Sequence, residues 1–153
     1  MSLLNQQAPN FTLENEKGQL VSLSDFKGKN VVLYFYPKDM TPGCTTEACD
    51  FRDAYEDFSS LNAVILGVSM DEANKHTKFI EKHGLPFSLL VDAEHEVAEK
   101  YGVWVLKKMY GREYMGIERS TFLINEEGIV IAEWRKVKVK NHIEAVLSQL
   151  KGE

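Results

Sequence analysis

Cys44 and Cys49 are the only thiols in a chain of 153 residues, and they stand five apart in the segment "TPGCTTEAC". The spacing is not the C-x-x-C of dithiol redox motifs, and no second pair completes a four-ligand zinc or iron–sulfur site. Two thiols this close in sequence are redox-active, metal-binding or incidental, because one pair cannot staple a fold of this length. Thr41 and Pro42 just ahead of Cys44 are a helix-capping residue and a helix-starting residue, so a helix should begin there with Cys44 in its first turn. Unpaired N–H groups and the positive end of the helix dipole favour negative charge on a sulfur so placed, and the thiolate is the nucleophilic form. The alternative is an inert cysteine on the buried face. Position alone leaves both open.

Cys49 shifts the balance. Apolar residues recur at Cys44, Ala48, Phe51, Tyr55 and Phe58, which is one helical face. Cys49 lies off that face, on the side of Arg52, Asp53 and Glu56, so core packing explains it poorly. Five residues of ideal helix separate two Cα atoms by about 8.7 Å, from roughly 140° of rotation and about 7.5 Å of rise. A disulfide needs roughly 7 Å or less. The two thiols can join only if the helix unwinds locally. Closing so short a loop contributes roughly 2 kcal/mol, opposed by the loss of a helical turn. Such a bond is a poor staple and a workable switch.

The elements that must hold these thiols follow from periodicity. "FTLENEKGQLVSLSDF" (11–26) predicts an N-terminal hairpin with "NEKG" as its turn. "NVVLYFYP" (30–37) is a continuous β-branched and aromatic run, as for a strand buried on both faces, and it stops at Pro37. After the cysteine helix, "AVILGVSM" (63–70) predicts a second buried strand, and Asp71 caps a helix that Gly84 ends. "FSLLVD" (87–92) and the short helix at 94–102 follow. "STFLIN" and "IVIAEW" flank "EEG" as a second hairpin, and "NHIEAVLSQL" (141–150) is a terminal helix. Successive strand–helix units imply a parallel sheet covered by helices, extended by antiparallel strands. Residues 1–153 form one α/β domain, without repeat or linker. Its loosest part should be "LKKMYGREYMG" (106–116), which has two glycines and no clear period.

Composition excludes other classes. The chain is 44% hydrophobic and 27% charged with a formal net charge of −5, ordinary for a folded protein. The one basic stretch, "RKVKVK" (135–140), reads as a solvated edge rather than a nucleic-acid surface. No run of about 18 apolar residues spans a membrane, and the N-terminus lacks the features of a signal peptide, so a reducing cytoplasm is expected. His76, His83, His95 and His142 are dispersed at no ligand spacing and read as surface histidines. Trp104 and Trp134 read as packing residues. No glycine-rich loop supports nucleotide binding, and no metal or organic cofactor is expected.

"FYPKDMTPGCTTEACDFRD" closely resembles the active-site segment of peroxiredoxins, whose P-x-x-x-T-x-x-C pattern matches Pro37, Thr41 and Cys44. A second cysteine five residues on resembles the peroxiredoxin Q or bacterioferritin-comigratory subgroup. The resemblance continues through "KKMYGREYMGIERSTFLIN", where the family's active-site arginine matches Arg119, and it covers most of the chain. It implies a thioredoxin-like fold with an N-terminal β-hairpin extension and a central mixed sheet flanked by helices. It also implies that Cys44 attacks peroxide and becomes a sulfenic acid, which Cys49 resolves as an intramolecular disulfide. Arg119 would hold the thiolate and stabilise the leaving oxygen, Thr41 would give a hydroxyl hydrogen bond to the peroxide, and Pro37 would shield the thiolate from water. The implied reaction is reduction of hydrogen peroxide and organic hydroperoxides, with thioredoxin or a similar dithiol as reductant and a monomer as the working unit. Two rivals stay open from the residues: a general dithiol–disulfide oxidoreductase, and a peroxide sensor acting through a binding partner.

Overall fold

The computed structural model describes residues 2–152. Strands β1 (Thr12–Glu14) and β2 (Leu20–Ser22) form the N-terminal hairpin, closed by the Asn15 side-chain oxygen, which accepts the N–H groups of Lys17 and Gln19. A 3₁₀ turn at Leu23–Phe26 leads into β3 (Asn30–Phe35), then α1 (Pro42–Asp53) and α2 (Tyr55–Ser60). β4 (Ala63–Ser69), α3 (Ala73–His83), β5 (Ser88–Val91) and α4 (Glu96–Lys100) continue the alternation. β6 (Trp104–Met109) and β7 (Arg112–Ile117) precede β8 (Ser120–Ile124), β9 (Val130–Trp134) and α5 (His142–Lys151).

Seven strands make one sheet in the order β2-β1-β5-β4-β3-β8-β9. β3, β4 and β5 are parallel, and β8 joins β3 in antiparallel register, with Phe35 opposite Ser120. This is the thioredoxin-like, mixed-sheet architecture that the resemblance implied. Alternate residues of β3 feed the two faces. Val31, Leu33 and Phe35 pack with Val97, Ala98 and Tyr101 of the α4 region, while Val32, Tyr34 and Tyr36 pack with Phe51, Phe58, Phe79 and Val146 from the helices opposite. Because β3 is covered on both sides, its sequence has no polar alternation. No helix among the described residues is long and apolar enough to cross a membrane.

Several expectations change. The cysteine helix does not run unbroken to Phe58, because Ala54 leaves helical geometry and divides α1 from α2. Glu72, not Asp71, is the N-cap of α3. Asp71 instead accepts the backbone N–H of Asp39 at 2.7 Å and the Ser69 hydroxyl at 2.8 Å. The stretch expected to be loosest is an ordered ribbon, β6 paired with β7 apart from the main sheet. Consecutive positive φ values at Tyr110 (52°) and Gly111 (77°) make its tip a two-residue turn of the hairpin-favouring hand. Most of its side chains are exposed on both faces, so no buried face imposed the alternation that marks a strand.

Candidate active site

Local rules bring Cys44 to the carboxyl end of the parallel strands, where open α/β sheets place their sites. β3 ends, the loop 36–41 crosses over, and Pro42 opens α1 with Thr41 as N-cap. The Thr41 hydroxyl makes no cap bond. It donates to the Lys38 carbonyl at 2.8 Å and so closes the loop beneath the helix. Cys44 is 2% exposed, on the apolar face of α1 with Ala48 and Phe51. Phe51 stacks on Tyr34 at 4.7 Å between centroids, which fixes the helix over the strand. Pro37 is exposed near the start of the loop, and Cys44 is buried with the aromatic cluster of Tyr34, Tyr36 and Phe51.

Arg119 reaches Cys44 from across the sheet. It lies between β7 and β8, and Ser120 pairs with Phe35, so register alone puts Arg119 beside the loop that follows β3. Its carbonyl accepts the Val137 N–H at 2.9 Å, which gives the basic stretch after β9 a structural task. One guanidinium nitrogen, NH2, donates to Cys44 Sγ at 3.2 Å, and the other, NH1, donates to Glu47 Oε1 at 2.7 Å. Gly43 leaves room for this, since a Cβ there would stand 3.1 Å from NH2.

Glu47 was not singled out from the sequence. It is fully buried one turn after Cys44, and burial pushes its carboxyl up to about 7 against the lowering pull of Arg119. A charged residue inside an otherwise apolar helical stripe was the available signal. Burial lowers the Arg119 side chain, but Glu47 and the Cys44 sulfur outweigh it and leave the guanidinium more firmly protonated than usual. Tyr34 is raised well above the usual phenol range, first by burial and then by Glu47 and Cys44. Glu47 Oε2 and the Tyr34 hydroxyl have no hydrogen-bond partner among the described residues. Lys107 of β6 is lowered, by burial first and by the charge of Arg119 second.

Cys49 is partly buried on α1, outside this cluster, and both thiols are free. The helix is continuous from Pro42 to Asp53, so the estimate of about 8.7 Å between the Cα atoms applies to it. Two histidines expected at the surface are inside. His76 is fully buried, with Nδ1 at 2.7 Å from Asp39 Oδ2 and Nε2 donating to the Leu90 carbonyl at 2.9 Å. His142 is buried with Nε2 at 2.8 Å from the Thr121 hydroxyl. Trp104 stacks on His95 at 4.0 Å, and Trp134 packs edge-on to His142, so both tryptophans are packing residues.

A buried sulfur bonded by a guanidinium, itself bonded to a buried carboxyl group, is an arrangement that can meet negative charge on the sulfur and on an incoming oxygen. The sequence matches the AhpC/TSA family over residues 4–133. It is 64% identical over 148 residues to peroxiredoxin Bcp of Bacillus subtilis (strain 168), covering 97% of this chain and 94% of that protein. It is 43% identical over 144 residues to peroxiredoxin Bcp of Escherichia coli (strain K12), covering 94% and 92%. The fold is similar to that of Xanthomonas campestris peroxiredoxin Q, with a TM-score of 0.89 and 44% identity over 94% of this chain and 90% of that one. The bacterioferritin comigratory protein of the same organism, studied for its alkyl peroxide reduction activity, matches with a TM-score of 0.89 and 44% identity over 93% and 90%.

Proposed function

The chain belongs to the AhpC/TSA family as a peroxiredoxin of the Bcp and peroxiredoxin Q kind, a thiol peroxidase; from that premise we propose the residues and partners of its cycle. Cys44 is the nucleophile. Its thiolate attacks one peroxide oxygen, the O–O bond breaks, and the second oxygen leaves as water or an alcohol after taking a proton. Arg119 stabilises the thiolate before attack and the developing oxyanion during it. The observation that carries this reading is the contact of Arg119 Nη2 with the buried Cys44 Sγ at 3.2 Å. Thr41 turns its hydroxyl from Lys38 towards the bound peroxide, and Pro37 forms the outer rim that limits water.

Cys49 then attacks the sulfenic acid, giving the Cys44–Cys49 disulfide and water. Thioredoxin or a similar dithiol protein reduces that bond, at the expense of its own thiols. Hydrogen peroxide and organic hydroperoxides are both substrates, and the residues 1–153 work as a single monomeric domain in the cytoplasm. No metal, haem or flavin takes part in this reading, because the sulfur carries the redox change.

Paired variants test the assignment. Cys44→Ser should lose peroxide reduction. Cys49→Ser should react once, fail to turn over with thioredoxin, and gain two oxygens on Cys44 under excess peroxide, read by mass spectrometry. Activity retained in Cys44→Ser would end the nucleophile assignment. Full thioredoxin-linked turnover in Cys49→Ser would end the resolving role.

A further inference from the structure

Beyond its packed apolar face, helix α1 is tied to the rest of the protein, among the described residues, by the side-chain hydrogen bonds of two guanidinium groups, one on each side of Cys49. Arg119 grips its first half through Glu47 Oε1 and Cys44 Sγ. Arg52 grips its second half to α3, where NH1 donates to the His83 carbonyl at 2.7 Å. His83 is the last residue of α3, so its carbonyl belongs to the set left unpaired at a helix C-terminus, at the negative end of the dipole. The Arg52 Nε also donates to Asp53 Oδ1 at 3.0 Å, which fixes the plane of the guanidinium. Arg52 is the one basic residue of α1, and its bond to His83 is the one side-chain hydrogen bond between α1 and α3 among the described residues. Cys49 is three residues before Arg52, and on a helix that makes them neighbours on one strip of surface.

The two grips respond differently to the first chemical step. Arg119 holds Glu47 and a sulfur whose negative charge disappears when Cys44 becomes a sulfenic acid, so as the product forms that grip weakens to its bond with Glu47. Arg52 holds a backbone carbonyl, which oxidation of Cys44 does not change. After the first step two polar restraints remain on the helix, the Arg119–Glu47 bond ahead of Cys49 and the Arg52 bond beyond it, and only the second holds the side of the Cys49 segment that runs on to Asp53.

We propose that Arg52 is a positioning residue that sets how readily the Cys49 segment opens, and thereby how the sulfenic acid divides between two fates. In one, Cys44–SOH and Cys49–SH give the disulfide and water. In the other, Cys44–SOH and a second peroxide, ROOH, give the sulfinic acid and ROH. The first requires the turn between the thiols to unwind and the second does not, so a tighter latch diverts more enzyme to sulfinic acid. This rests on the reading of Cys49 as the resolving thiol.

The test compares the wild type with Arg52→Met and Arg52→Lys, each reduced and then exposed to rising hydrogen peroxide, with Cys44 and Cys49 followed by mass spectrometry. Arg52→Met should need about fivefold more peroxide to reach half sulfinic acid, in line with loss of a charge-assisted but partly exposed bond. Arg52→Lys should fall between the two. The second-order rate of the first peroxide reaction should stay within twofold of wild type, since Arg52 does not touch Cys44. Amide exchange in the reduced Arg52→Met protein should rise across residues 44–53 and stay unchanged in β3 and β4. An unchanged or lower peroxide threshold, or exchange raised equally in β3 and β4, would overturn this proposal alone. A wild type that forms no Cys44–Cys49 disulfide would overturn the resolving role, and this proposal with it.

Discussion

Two clusters of buried polar groups meet at the end of β3, one built around Tyr34 and the other around Tyr36, whose rings stack at 5.4 Å. In the Tyr36 cluster the hydroxyl donates to Asp39 Oδ1 at 2.5 Å, Asp39 Oδ2 faces His76, and the far side of His76 is closed by the Leu90 carbonyl. Each of these side chains has its partners. In the Tyr34 cluster Glu47 bonds through one oxygen only, and both its second oxygen and the Tyr34 hydroxyl find no partner among the described residues. Closed networks rigidify a fold, whereas leftover bonding capacity in a buried site is kept for something that arrives. By this contrast the Tyr36 cluster is a structural network, and the Tyr34 cluster is the one beside the proposed nucleophile.

The strongest way to break that division is to remove the guanidinium. Arg119→Ala should slow the second-order reaction of Cys44 with peroxide by about 10²- to 10³-fold, as for other preorganised donors to a developing oxyanion. Stability should fall much less, because the orphaned Glu47 carboxyl already takes up a proton near neutrality. A stopped-flow rate within threefold of wild type would move Arg119 out of the chemistry.

The reciprocal change is His76→Leu. It leaves Asp39 Oδ2 and the Leu90 carbonyl buried without their partner, which should cost about 2 to 3 kcal/mol of unfolding free energy. The folded fraction should still react with peroxide within about threefold of the wild-type rate. Denaturant unfolding and single-turnover kinetics on the same sample check both halves. A large rate loss with little destabilisation would mean that the Tyr36 cluster also serves the reaction, by holding the loop that carries Thr41.

The same contrast explains what the sequence could and could not reveal. The three parallel strands, the β8–β9 hairpin and the start of α1 at Pro42 were legible because burial on one or two faces imposes a period, and Thr41-Pro42 has a fixed meaning at a helix start. The β6–β7 ribbon was not, because exposed strands need no such pattern. Cys44, Cys49 and Arg119 were singled out from spacing and resemblance, and the structure brings Cys44 and Arg119 together at 3.2 Å while Cys49 stands apart from them with its thiol free. His76 and His142 were misread because a histidine with a satisfied ring can be buried, and its partners Asp39 and Thr121 lie 37 and 21 residues away. Glu47 escaped because nothing in a linear sequence pairs it with Arg119, 72 residues on.

The finest distinction between a half-satisfied and a satisfied buried group is how each responds to pH. Glu47 is raised from 4.5 to about 7 by burial, with Arg119 pulling the other way. Between those values the folded state holds a proton that the unfolded chain has released. The stability this gives is complete below 4.5 and is lost as pH rises through about 7. His142, bonded to Thr121, is lowered from 6.5 to about 4, first by burial and then by the charge of Arg119. Its contribution has the opposite sign, being complete above 6.5 and lost as pH falls through about 4. From 4.5 to 6.5 the two slopes oppose each other, each approaching about 1.4 kcal/mol per pH unit, so their sum is nearly flat in the wild type. Single substitutions uncover them. Glu47→Gln keeps an acceptor for Arg119 but removes the titration, so its stability should rise with pH over this window relative to the wild type. His142→Asn should do the reverse, with stability falling as pH rises. Denaturant unfolding at half-unit steps reads both curves. If Glu47→Gln ran parallel to the wild type while His142→Asn diverged, Glu47 would be ionised throughout the window. Arg119 would then offset its burial completely, and the unpaired oxygen of Glu47 would not separate its cluster from that of Tyr36.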